Sequence, residues 1–554
     1  MDVSDRLHRT FARKVGLPDP VVGDVRVRRD LTIPLGDGVI TKADHWMPVG
    51  IDTPPLVLIR SPYGRRAFGV LFGRTLAHQG FQVVLQACRG TGGSDGVLDE
   101  PFSCEIADGA ATVEWLRKQA FYPGRFFTYG ESYLGWNQIA LAPAAGDDLA
   151  GMVLRVAPSS VYDMAWPEGT FILKAGLTWA AMSRTSLSVS LATVIRGLRL
   201  APKVLSIGRQ APVLTSYQQL AKGTNPVFEG WARHPERSDP HWDRDEIIGH
   251  LDAVTCPVLI TAGWYDLFIE DCLKQHEHLR KAGSPVEIHA GVWSHAEVLR
   301  KGLGPSLTDE VAFLRDIAGL AKRPPTSPVR LHMINGPVLT LAELPVATDE
   351  PRRWALATDS LAADSDTGST TFLSEPQDPT PSVGGAINDE TGGSKDNTEL
   401  EARSDVVTFT SARLEHDLDV YGSPTVDLVV SSDRPDTAVF VRLCEVKADG
   451  TSWNHSDRLV RLAAGERDDE GRWHRRIELP PVLLRIPAGH RVRLQISGGS
   501  FPRFARHPGT AENPLAAVRF YPAHQTIHHD GSALTLPLLD ARSSAHPRAA
   551  RACR

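Results

Sequence analysis

Cysteine is nearly missing from this sequence: six residues (Cys88, Cys104, Cys256, Cys272, Cys444 and Cys553) are scattered over 554 positions. No two stand in Cys-x-x-Cys spacing, which argues against a disulfide framework or a cysteine zinc module and predicts reduced packing residues. Long apolar runs are missing as well. With no stretch of about 20 apolar residues, no membrane-spanning helix is expected. The segment Met1 to Lys14 carries charges throughout and has no apolar core of about seven residues, unlike a secretory signal, so a cytoplasmic location is expected. Charge of one sign is also scarce. A net charge of −6 on so long a chain gives no reason to expect nucleic acid or an acidic membrane as partner, and leaves a homo-oligomer open. The Gly-rich segment from Arg89 to Gly96 lacks the Lys-Ser/Thr ending and the spacing of either nucleotide fingerprint. His528, His529 and Asp530 read as part of a strand rather than as metal ligands. No cofactor and no metal are expected.

What remains is an ordinary globular composition, 42% hydrophobic and 23% charged, on a chain long enough for three or four units at roughly 150 residues each. From about Val25 to Leu154 strands alternate with helical periods, as in α/β architectures. Strands are predicted at Leu56 to Arg60, Phe81 to Gln86, Arg125 to Tyr129 and Met152 to Val156. Between the second and third, Ile106, Ala110, Val113 and Leu116 recur at helical spacing, so one face of a helix over Cys104 to Gln119 can pack on a sheet. Arg89 and Asp95 are expected to pair with neighbouring loops. From about Ser159 to His250 the strand alternation gives way to helical patterning, which suggests a cap over the carboxyl ends of the strands. The α/β pattern resumes near Asp252 and ends in a helix around Ser306 to Leu320. A Pro-rich boundary follows at Lys322 to Pro328, and then short strands bounded by turn residues, beginning with Val329 to Met333. The expected division is a core over 1–158 and 251–322, a cap over 159–250, a β domain over 323–545 and a frayed tail over 546–554.

The chemistry is concentrated in Gly130-Glu131-Ser132-Tyr133-Leu134-Gly135, between an apolar strand and a helix-like stretch. A serine on a sharp strand-to-helix turn has its hydroxyl pushed out of the backbone, and the following N–H groups point at an approaching carbonyl. The partners should follow in the α/β-hydrolase order Ser, Asp, His. A buried strand, Val258 to Thr261, runs into a loop ending at Asp266, the candidate acid. A second strand precedes Trp293-Ser294-His295, and His295 is the candidate base. A neutral His295 would take the Ser132 proton while Asp266 fixes its tautomer. The N–H of Tyr133 supplies one oxyanion donor, and a second is required.

These motifs make the chain similar to the cocaine esterase family of serine hydrolases, which also contains α-amino-acid ester hydrolases, cephalosporin acylases and X-prolyl dipeptidyl peptidases. The resemblance rests on the elbow from Gly130 to Gly135, Gly263-Trp264-Tyr265-Asp266, Trp293 to His295, Arg60 to Gly64 and Cys88 to Gly96. It continues into the C-terminal third through Asp378 to Gly385 and Ser500 to Phe504. It implies an α/β-hydrolase core with a helical cap and a C-terminal jelly roll that braces the catalytic part. It also implies that the Tyr63 hydroxyl completes the oxyanion hole and that Trp166 and Trp179 enclose the acyl group. In the amino-acid ester hydrolases, acidic residues closely follow the acid of the triad and hold the substrate's ammonium. Here Leu267, Phe268 and Ile269 follow, and Glu270 and Asp271 come later, which favours an apolar acyl pocket lined by Leu267 and Phe268. The expected activity is hydrolysis of a small-molecule carboxylic ester through an acyl-serine, with an amide-directed acylase, peptidase or acyltransferase as the alternative. A sugar-binding protein with a decayed catalytic lobe is a third possibility, against which the intact Ser132, Asp266, His295 and Tyr63 stand.

Overall fold

The computed structural model describes residues 8–540 apart from 9, 11, 15, 99–101, 184–202, 204, 222–225, 244–245 and 347. The expected tail and part of the cap therefore lie outside the described residues. The catalytic part is built on ten strands: β1 (Val25–Pro34), β2 (Ile40–Pro48), β3 (Leu56–Ser61), β4 (Gln82–Ala87), β5 (Phe126–Glu131), β6 (Leu149–Arg155), β7 (Val258–Tyr265), β8 (Val286–Ser294), β9 (Val329–His332) and β10 (Val338–Leu341). Their order in the sheet is β1-β2-β4-β3-β5-β6-β7-β8-β9-β10. From β4 through β9 every pairing is parallel.

Every residue of β3, β4, β5 and β7 is buried, as expected for parallel strands covered by helices on both faces. Both buried glutamines of β4 are paired. Gln82 Nε2 donates to Pro54 O at 2.8 Å and Gln86 Nε2 to Thr41 Oγ1 at 2.8 Å. The helix Glu105–Arg117 covers the sheet, close to where its apolar spacing placed it. Order reverses around β3, with β4 on one side and β5 on the other. The crevice outside the carboxyl ends of strands at such a reversal is where open α/β sheets bind ligands.

Two differences from the sequence expectation stand out. The β1–β2 hairpin, paired antiparallel from Val25 with Pro48 to Pro34 with Ile40, was not foreseen, because six of the ten residues of β1 are exposed and Arg26, Arg28, Arg29 and Asp30 interrupt any apolar rhythm. The strand read as opening the C-terminal domain, Val329 to Met333, instead extends the catalytic sheet: Ile288, His289 and Ala290 of β8 pair in parallel with Val329, Arg330 and Leu331. The Pro-rich run ahead of it marks a loop, and composition does not say which sheet the next strand joins.

Helices Val161–Ala165, Leu173–Ser183, Val213–Ala221 and Pro226–Arg233 occupy the expected cap. From Thr348 onward the chain forms a second, mainly antiparallel sheet of the expected jelly-roll class, organised around the long strand Ala523–Leu539. His528, His529 and Asp530 lie within that strand; His528 Nε2 meets Ser431 Oγ at 2.8 Å and His529 Nε2 meets Thr370 Oγ1 at 2.9 Å. Polar contacts tie this sheet to the end of β7 and to the helix Ile269–Ala282 that follows it. Arg458 Nη2 donates to Glu270 Oε1 at 2.7 Å, and Tyr265 Oη lies 2.9 Å from His455 Nδ1.

Candidate active site

Ser132 joins β5 to the helix Tyr133–Ala145 with φ 54° and ψ −121°, a strained conformation for a residue with a side chain. The flanking glycines make room for it. A Cβ on Gly130 would come within 2.4 Å of Leu134 Cβ, and one on Gly135 within 2.4 Å of Ala157 Cβ. The need is for close packing rather than for a left-handed backbone. Beneath the elbow lies a buried ionic cluster. Arg155 Nη1 donates to Glu310 Oε1 at 2.6 Å, Glu310 also accepts from Tyr129 Oη at 2.6 Å and Thr261 Oγ1 at 2.7 Å, and Arg155 Nε lies 3.6 Å from Glu131. This cluster joins β5, β6 and β7 to the helix Leu303–Ile317 directly below the serine.

Asp266 is 1% exposed. Its Oδ1 accepts the Phe268 N–H at 2.7 Å, and its Oδ2 lies 2.8 Å from His295 Nδ1. That contact occupies Nδ1 and leaves Nε2 as the proton-accepting nitrogen. Burial depresses the imidazole pKa, but the adjacent Asp266 carboxylate, with Glu131 adding to it, outweighs burial and raises it. Local packing places both groups. Trp293 lies against Gly263 and Gly291, where an added Cβ would meet its ring at 2.5 and 2.2 Å, and donates its indole N–H to Ala262 O at 3.0 Å. Ser294 and Glu297 form a capping box that fixes the turn carrying His295. No Ser132–His295 hydrogen bond is formed among the described residues. Such bonds are often long in ligand-free enzymes and tighten when substrate binds.

Tyr63 follows β3, next to the elbow. Burial pushes its pKa up to about 12, against the opposing influence of the neighbouring Trp179 and Ser132 side chains, so it stays neutral at working pH. Tyr133 opens its helix, and its N–H is one of the four that no helix carbonyl can reach. The ring of Tyr133 stacks on Phe102 at 4.2 Å and faces Trp179 at 6.1 Å.

The expected pocket residues divide. Trp179 sits beside Tyr63 and Tyr133. Trp166 is 1% exposed, packs on Phe171 at 4.9 Å, gives its indole N–H to Trp231 O at 2.7 Å and lines a cavity with Phe171 and Phe501 whose walls include neither Ser132 nor His295. A buried indole must satisfy its N–H, and here the cap core does so. Trp231, not singled out from sequence, stacks on Trp179 at 5.9 Å; nothing local distinguishes it from other cap tryptophans. Phe268 meets the His295 ring edge-on at 5.4 Å. Arg89 pairs with Asp108, Nη2 to Oδ1 at 2.6 Å, and with Asp37. Asp95 joins through its backbone, its N–H to Ile40 O at 2.9 Å.

A cleft of about 400 Å³ opens along Asp266 to Asp271, walled by the cap and the C-terminal sheet. Leu267, Phe268, Ile172 and Phe504 give it apolar surface, yet Asp163, Glu168, Glu270 and Asp271 also line it, so it is less uniformly apolar than expected. Most of this negative charge is engaged. Glu270 and Glu168 face Arg458 and Asp163 faces Arg237. Asp271 accepts from Ser159 Oγ at 2.5 Å, and burial pushes its pKa up to about 7.

Comparison with known proteins follows the same division of the chain. Residues 37–297 match the X-Pro dipeptidyl-peptidase (S15) family, and residues 319–534 match the X-Pro dipeptidyl-peptidase C-terminal non-catalytic domain. A cocaine esterase from Rhodococcus sp. (strain MB1 Bresler) is 27% identical, covering 88% of this chain and 94% of that protein. An α-amino acid ester hydrolase and an aminopeptidase from a marine sediment Thaumarchaeota archaeon share the fold, each with a TM-score of 0.77 at 19% identity, over 94% of this chain and 98% of theirs. The catalytic part and the C-terminal β domain thus each match a part of the same family, and the chain belongs to the X-Pro dipeptidyl-peptidase (S15) family of α/β-hydrolases.

Proposed function

We propose that this protein is a carboxylic-ester hydrolase that works through an acyl-Ser132 intermediate. The observation that carries the reading is the strained Ser132 at the β5 elbow, combined with the His295–Asp266 pair that leaves Nε2 of the base unoccupied by the acid. In the first half-reaction Ser132 Oγ bonds to the ester carbonyl carbon as its proton passes to His295 Nε2. Tyr63 Oη–H and Tyr133 N–H receive the developing oxyanion. The carbonyl then re-forms, the C–O bond to the alcohol breaks, and the alcohol leaves with the proton from His295. Water repeats the sequence to release the acid and free Ser132.

Phe268 beside the base and the apolar part of the neighbouring cleft support an apolar or aromatic acyl group. Asp163, Glu168 and Glu270 of that cleft are held by arginines and Asp271 by Ser159, and so are poor anchors for a substrate ammonium. A fluorophosphonate probe should label the wild-type protein once, at Ser132, and leave Ser132→Ala unlabelled. A panel of p-nitrophenyl esters beside Gly-Pro and Ala-Pro anilides then tests the bond cleaved. Faster cleavage of the anilides would favour the amide-directed alternative suggested by the peptidase relatives.

A further inference from the structure

The oxyanion donors come from different strands, Tyr63 from the loop after β3 and Tyr133 from the turn after β5, and their spacing must be held by something other than the chain itself. The residue best placed to do so is Glu105, the first residue of the helix Glu105–Arg117 and only 2% exposed. Its Oε1 accepts from Tyr133 Oη at 3.0 Å. Its Oε2 accepts from Arg60 Nη2 at 2.6 Å, and its backbone carbonyl from Arg60 Nη1 at 3.0 Å. Arg60 lies on β3, three residues before Tyr63. Its own carbonyl receives Asn137 Nδ2 at 3.1 Å, from the helix that Tyr133 begins. The Tyr133 hydroxyl also accepts the Phe102 N–H at 3.0 Å, so both its donor and acceptor directions are fixed. On the far side, Trp179 contacts Tyr63 and faces the Tyr133 ring, closing a loop of contacts through both donors.

We propose that Glu105 is a positioning residue of the oxyanion hole: one buried carboxylate grips the strand that leads to Tyr63 and the side chain of Tyr133, and so sets the distance between the two donors. The proposal rests on the acyl-serine reading above. A charged group this deeply buried must be paired, and the pairing made here joins the two halves of the hole rather than an arbitrary pair of elements. Misplacing a catalytic donor by a fraction of an ångström to 1 Å is enough to lower turnover severely.

The test uses the full-length protein with p-nitrophenyl esters and phenylboronic acid, whose tetrahedral serine adduct places an oxygen in the hole. Glu105→Gln keeps the shape but cannot accept from both partners, and Tyr133→Phe removes only the hydroxyl while leaving the Arg60 ion pair intact. Both variants are expected to lose about tenfold to a hundredfold in kcat, with KM changed less than about twofold and boronate affinity falling in parallel. Tyr63→Phe should cost less in the Glu105→Gln background than in wild type, because the hole is already disordered. Folded Glu105→Gln and Tyr133→Phe proteins with wild-type kcat and boronate affinity would overturn the proposal, as would a loss in KM alone or strict additivity with Tyr63→Phe. Should Glu105→Gln fail to fold, Tyr133→Phe decides through its kcat and boronate affinity. Failure of the underlying acyl-serine reading would appear separately, as wild-type protein that the fluorophosphonate does not label.

Discussion

At the scale of single residues, the proposed base carries a pH signature. The imidazole of His295 must be neutral to accept a proton, and beside Asp266 its pKa lies above the ordinary 6.5. The logarithm of kcat/KM for a neutral ester should therefore rise with pH and level off, with a midpoint above that value; Asp266→Asn should shift the midpoint downward as well as lowering the rate. A midpoint below 6.5 in the wild-type protein would count against His295 as the base. The same shift affects stability. A group whose pKa is raised by folding contributes stability that is present below its unfolded pKa and is lost as pH rises through the folded value, so the His295–Asp266 contribution fades on the alkaline side. Of these residues, Ser132, Asp266 and His295 were legible because each sits in a distinctive motif just past a strand. Glu105 was not. Its role depends on a fold that brings Arg60 and Tyr133 to the same carboxylate, and its local sequence reads as an ordinary helix start.

At the scale of elements, the elbow is a packing problem solved by two glycines. Gly135→Ala would drive a methyl to within 2.4 Å of Ala157 Cβ, and overpacking of this kind costs about 1–3 kcal/mol. Chemical denaturation should show that loss together with reduced turnover, because the helix that shifts is the one presenting Tyr133. Gly249→Ala is the control: its Cβ would meet nothing within 4 Å, and a change near zero is expected there. Equal effects at the two positions would show that the elbow has slack the packing does not suggest. Strand and helix identities in the parallel sheet were readable because two-sided burial demands continuous apolar runs and covering helices demand one apolar face. The β1–β2 hairpin escaped because its exposed face removes that demand. Trp166 and Trp179 show the same limit within one motif class: both are cap tryptophans, and only packing determines which one meets the site.

At the scale of the whole molecule, the second sheet reaches the acid loop through His455, which joins Tyr265 Oη on one ring nitrogen and Glu445 Oε2 at 3.1 Å on the other. His455→Ala would leave two buried polar groups each short of a partner, at a cost of about 1–3 kcal/mol. The variant's midpoint in urea should fall accordingly, and kcat with it, since Tyr265 adjoins Asp266; an unchanged midpoint would mean that the two sheets are not coupled through this contact. The sequence alone determined the local motifs and the class of each region: a serine on a strand-to-helix turn, an aspartate and a histidine just past later strands, a helical insertion and a β-rich end, because periodicity, turn residues and short motifs act over a few neighbouring positions. Only the tertiary structure decided that Val329 extends the catalytic sheet, that Trp179 rather than Trp166 faces the Tyr133 ring, that acidic side chains share the cleft with Phe268, and that Glu105 joins Arg60 to the Tyr133 hydroxyl. Each of these depends on which distant segments pack together, and that choice is made by the burial and pairing of side chains far apart along the chain.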